Sequence, residues 1–171
     1  MTKQLSGCMV GTIAIFAASF STTVIAEQMP DKGVLHLTMV KEKAVTSPFN
    51  NGETLTLSQA KGKYEAADEK NPLGGADIST VKFGDVTKGN GTVQIWTTLT
   101  KDGSASYTKA VAQVRTAKGA DGKPITSVTG TYEKIGGTGR FANLKGSGTF
   151  TRKAISPTTY AVEINGYMEQ P

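Results

Sequence analysis

Glu163, Asn165 and Tyr167 alternate along the last β-patterned run of the chain and so share one face of a strand. A carboxylate flanked by an amide and a phenol could polarise a bound molecule or stabilise a developing cation if that face lined a cavity. Turned outward, the same set is a wetted sheet surface. His36 is the only histidine, so any mechanism that needs an imidazole shuttle at neutral pH must use it. It shares parity with Val34, Thr38 and Val40, a row that faces either a cavity or the outside. Glu163, Tyr167 and His36 are therefore the catalytic candidates, each with a structural reading beside it. For ligand binding the candidates are Trp96, Tyr107, Arg140 and Asn165. The two aromatics could line a small-molecule cavity or serve as packing residues, and Arg140 could clamp a carboxylate or tie down its own loop.

Several chemistries are excluded. With one histidine and one cysteine, Cys8, no standard zinc site can be assembled, and no Asp-x-Asp-x-Asp loop suggests calcium. Gly137-x-Gly139-x-x-Ala142 formally satisfies a dinucleotide fingerprint, but Gly146-Ser147-Gly148-Thr149-Phe150 follows at once, leaving no room for a crossover helix and a further parallel strand. No P-loop and no nucleophile elbow is present, so neither a cofactor nor a triad is expected. The net charge of +5 is spread along the chain with acids interleaved, which describes a solvated surface and not a nucleic-acid face.

The elements that must position these residues are strands. From Gly33 onward, short β-branched or aromatic runs alternate with Gly, Asn, Asp and Pro clusters, and helical spacing is scarce. The runs are Val34–Val40, Thr54–Leu57, a further piece at Gly62–Ala66, Ile78–Phe83, Thr92–Thr100, Ser104–Thr116, Ile125–Ile135, Gly146–Lys153 and Tyr160–Met168. Lys101-Asp102-Gly103 is the clearest hairpin turn. The pattern predicts an all-β chain, an eight-stranded antiparallel barrel whose closure removes exposed edges, with a two-sheet sandwich as the alternative. In the corner Gly136-Gly137-Thr138-Gly139-Arg140-Phe141-Ala142-Asn143-Leu144, the glycines allow a tight reversal, and Phe141 and Leu144 can plug a barrel end.

Lys3, the apolar stretch Cys8 to Phe20 and the small-residue exit Val24-Ile25-Ala26 match a secretory signal peptide of bacterial style, cleaved after Ala26. A lipidated Cys8 is disfavoured because the apolar core follows it. Residues 27–171 then form a single domain, exported to the periplasm or beyond, without disulfides and without a stable membrane anchor.

Gly-Gly-Thr-Gly-Arg-Phe followed by Gly146-x-Gly148 resembles the segment before a late barrel strand in allene oxide cyclase and dirigent-like proteins. The resemblance implies a calycin-like barrel with an internal ligand cavity, trimeric in plant members. It also implies either a cyclisation assisted by a barrel carboxylate or the steering of bound phenolic radicals. Beyond this segment the family's functional positions do not match residue by residue. The expectation is an exported barrel that binds a small, partly apolar or phenolic molecule. The alternatives are a cofactor-free cyclase or isomerase and a structural, oligomer-forming envelope protein, and whether the chain is an enzyme stays open.

Overall fold

The computed structural model describes residues 27–49 and 51–170. The alternating segments become eight strands: β1 Glu27–Thr46, β2 Glu53–Ala66, β3 Asp77–Thr87, β4 Asn90–Lys101, β5 Ser104–Lys118, β6 Pro124–Gly137, β7 Lys145–Ala154 and β8 Thr159–Gln170. Each pairs antiparallel with the next, and β8 returns to β1 from Glu27 to Thr38, so the sheet closes into the expected eight-stranded barrel and not a sandwich. The expected signal segment and Cys8 lie outside the described residues.

Strands run longer than local pattern suggests. Ser58 to Lys61 lack the β-branched wording of a strand, yet β2 continues through them because β1 and β3 supply ladder partners on both sides. Asp102 and Gly103 both take positive φ, as a tight hairpin turn requires.

Two bulges set which side chains enter the barrel. In β1 the register slips between Met39 and Lys41, so Val40 is the extra residue and points to solvent. Leu35 and Leu37 face inward before the slip, and Glu42 faces inward after it, opposite Ser58. In β6 the extra residue is Ile135, since Tyr107 pairs with Gly136 and Thr108 with Lys134; Ile135 is left outside, while Lys134 lies before the slip on the inward row of Val128, Gly130 and Tyr132.

One barrel end is plugged. Leu73 from the β2–β3 connection, Phe141 and Leu144 from the Gly-rich corner, and Met168 from β8 are all fully buried there. The corner contains a single 3-10 turn, Gly139–Phe141, in which Gly139 takes a φ of +56° and the ring of Phe141 turns inward.

A saturated carboxylate lies above the plug. Asp31 has no exposed surface, and its Oδ2 sits 3.0 Å from Lys134 Nζ and 2.8 Å from the donating hydroxyl of Tyr132. Tyr64 donates to Oδ1 at 3.1 Å, and Asn71 donates in turn to the Tyr64 hydroxyl at 3.3 Å. Burial, then the Asp31 charge, pushes both phenols above the usual range, so they remain donors. The ring of Tyr132 fits because β7 and β8 meet it with Gly148 opposite Gly166: a Cβ on Gly166 would lie 2.6 Å from its hydroxyl.

Removing one partner of a buried ion pair costs about 3–5 kcal/mol because the other charge is left uncompensated. Lys134→Met should therefore lower unfolding stability by about that amount, and adding Asp31→Asn should restore part of it. Urea unfolding of the three variants checks this; a Lys134→Met loss of under about 1 kcal/mol would remove the pair from this role.

Candidate functional site

Above the Asp31 cluster the barrel is not filled. A cavity of about 270 Å³ runs between the strands, with Leu35, Val93, Ile95, Ala112, Val128 and Ile164 among its apolar walls. Lys134 and Tyr132 line its floor, and Glu42, Thr56, Val86 and Thr126 line it toward the opposite end, where the β1–β2, β3–β4, β5–β6 and β7–β8 connections lie. Space is left where the inward positions of β5 carry small residues, Ala110 opposite Tyr132 and Ala112 opposite Gly130.

Besides Glu42, Thr56, Ser58 and Thr126, its polar groups form two sets. A row of hydroxyls crosses three adjacent strands in register, Thr80 with Thr97 and Thr97 with Thr108, and ends at Lys134 opposite Thr108. The hydroxyls of Thr80 and Thr108 are buried with no hydrogen-bond partner among the described residues, so each has bonding capacity facing the chamber. The second set surrounds Tyr160 on β8. Lys82 Nζ donates to its hydroxyl at 2.8 Å and lies 4.5 Å from the ring centroid, while the Arg152 guanidinium carbon lies 4.3 Å from the same centroid. Neither Lys82 nor Arg152 forms an ion pair with a described carboxylate, in contrast to Lys134.

The residues singled out from sequence stand elsewhere. His36 is on the outer face, 2.9 Å from Glu65 Oε2. Glu163, Asn165 and Tyr167 share the outer face of β8, with Glu163 bonded to Lys153 at 2.5 Å. Trp96 and Tyr107 are exposed on the outside of β4 and β5. Arg140 pairs with Asp102 at 2.9 Å and stacks over Phe141 at 4.8 Å, a local role in the plugged end. None of the seven lines the cavity. The alternation grouped these residues correctly by face; the face it could not name is the outer one.

The residues that do line the chamber gave a weak signal. In β3 the apolar side chains Val81 and Phe83 point outward, and Thr80, Lys82 and Gly84 point inward, the reverse of a packed core. A polar and small row beside an apolar row reads as an ordinary amphipathic strand, in which Lys82 is one more solvated charge. No group of three or more potential metal ligands occurs among the described residues. No helix among them is long and apolar enough to cross a membrane.

No protein-family model matches the chain, and no curated protein does. Among solved structures the barrel is similar to that of a pterocarpan synthase dirigent protein, with a TM-score of 0.52 and 12% sequence identity over 92% of this chain and 99% of that one. The likeness is one of fold, a dirigent-like barrel.

Burial, and after it the Arg152 guanidinium, holds the Lys82 ammonium down at about 8 from its ordinary 10.5, with Glu42 pulling the other way. Burial also pushes the Tyr160 phenol up, against the opposing pull of Arg152 and then of the neighbouring Thr80 hydroxyl. A lysine lowered on folding destabilises the native state at every pH below its folded value, and that cost disappears as pH rises from about 8 through 10.5. Lys82→Met should therefore raise the melting temperature at pH 7, and the gap between variant and wild type should close across that window. Thermal melts at a series of pH values check this; a Lys82→Met protein less stable than wild type at neutral pH would contradict it.

Proposed function

We propose that this is an exported, single-domain, dirigent-like barrel that binds a small, partly apolar molecule in its interior. The observation that carries the reading is the cavity itself, about 270 Å³ with mainly apolar walls and polar groups at fixed places among them. Apolar walls provide the driving force for a ligand, and a few fixed polar groups orient it. The pair of cations at Tyr160 and the open hydroxyls of Thr80 and Thr108 suit a ligand with at least one oxygen function. Export rests on the amino-terminal segment alone.

A second reading, a cofactor-free cyclase or isomerase, is favoured by the acid and base groups in the chamber wall. Glu42, Lys82 and Tyr160 could move protons on a positioned molecule, and the solved neighbour is itself named a synthase. A purely structural barrel is the reading that the open interior disfavours. Self-association belongs to the proposal as well, because the exposed pairs Leu57 with Phe83 on β2 and β3 and Val81 with Trp96 on β3 and β4 form an apolar band on the outer face.

Titration with the neutral fluorescent probe N-phenylnaphthylamine tests the container. Saturable binding at one site is expected, abolished by Ala112→Phe, which fills the chamber from β5, and kept by Trp96→Ala on the outer wall. Binding that ignores Ala112→Phe, or no saturable binding, would overturn the reading. For the apolar band, Phe83→Glu should shift the protein to a smaller species in sedimentation velocity; a wild type that sediments as a monomer would remove that part of the proposal.

A further inference from the structure

We propose that Lys82 is a carbonyl-capturing amine, which forms a reversible imine with an aldehyde or ketone of partly apolar body held in the barrel cavity. The proposal rests on the container reading and names the chemistry of its occupant. An amine attacks a carbonyl only through its lone pair, so it must be free of a carboxylate clamp and placed where the charged form is disfavoured. Among lysines of the described chain, Lys134 is buried but held by Asp31 at 3.0 Å, and Lys63 and Lys153 are exposed and paired with Asp77 and Glu163. Lys82 differs from all three. It lines the chamber, has no described carboxylate within ion-pair distance, and shares the Tyr160 ring with a second cation, Arg152. Removal from water and a like charge nearby are the two conditions that raise the neutral fraction of a lysine near physiological pH, and the value of about 8 agrees with the geometry.

The neighbours supply the proton transfers. Tyr160 accepts its bond from Lys82 at 2.8 Å, so its own proton is free to be donated, and burial keeps that proton in place. As the Lys82 lone pair forms the C–N bond, the carbonyl π pair moves to oxygen, which takes the Tyr160 proton. The nitrogen then returns one of its protons to the tyrosinate. A second donation from Tyr160 protonates the carbinolamine hydroxyl, which leaves as water while the nitrogen lone pair closes the C=N bond. Loss of the remaining nitrogen proton restores Tyr160 again. One carbonyl compound and one amine give one imine and one water, with no change of oxidation state. Arg152, on the same ring, is placed to orient the carbonyl oxygen before attack.

The test exposes the intact protein to benzaldehyde with cyanoborohydride at neutral pH and reads intact mass and peptide map. The expected result is a single benzyl adduct per chain, located on Lys82 and absent in Lys82→Arg. Tyr160→Phe should form it at least about tenfold more slowly, a loss larger than any change in its affinity for benzyl alcohol, read by displacement of N-phenylnaphthylamine. Adducts scattered over exposed lysines, or a yield equal to that of Lys82→Arg, would overturn the proposal. If benzyl alcohol displaces the dye while the aldehyde leaves Lys82 unmodified, the amine role fails and the container survives. If neither compound displaces the dye, the proposal falls together with the container on which it rests.

Discussion

The barrel depends on one buried carboxylate. Asp31 stands on β1, the strand that must find β8 to close the sheet, and it accepts bonds from Tyr64 on β2 and from Tyr132 and Lys134 on β6. A buried ion pair by itself is weak evidence for stability, because desolvation offsets most of the attraction. Here both carboxylate oxygens are occupied by donors, so the network is of the kind that specifies one arrangement and penalises every other. A β1–β8 register slipped by one residue would turn Asp31 to solvent and strand Lys134 in the interior. Register, closure and the placement of Tyr132 beside Gly148 and Gly166 are thus consequences of a single set of contacts.

That set also divides the molecule. Below it the plug of Leu73, Phe141, Leu144 and Met168 is packed as a core. Above it the inward rows include the small side chains Thr80, Thr97, Thr108, Ala110 and Ala112 on adjacent strands, and a chamber remains. Of the two chamber lysines, one is neutralised by Asp31 and serves the fold. The other, Lys82, bonds Tyr160 beside a like-charged neighbour, with Glu42 beyond ion-pair distance. A protein that keeps a half-buried cation without a counter-ion accepts a loss of stability at that point, and such a loss is characteristic of functional sites.

How much of this was legible in the sequence follows from what alternation encodes. Strand count, the Asp102-Gly103 turn and the plugging role of Phe141 and Leu144 could be read, because β-branched runs, tight-turn residues and large apolar side chains near a glycine corner are local signals. The facing of strands could not. Val81, Phe83 and Trp96 are apolar and outside, whereas Thr80 and Lys82 are polar and inside, so the usual rule pointed the wrong way in a hollow barrel. The bulge at Val40 reverses parity within β1, so that Glu42 faces inward, and nothing local marks it. Asp31 and Lys134 lie a hundred residues apart, and each reads alone as a surface charge; only closure of the sheet brings them together.

The central claim, that the barrel interior is a ligand chamber resting on the Asp31 cluster, is tested most directly by methyl and amide NMR during titration with a neutral apolar probe. The account predicts shift changes confined to inward-facing residues of the chamber, Leu35, Val93, Ala112, Val128 and Ile164. Changes confined to the outer residues near Trp96, Phe83 or Tyr167, or none at saturating probe, would contradict it.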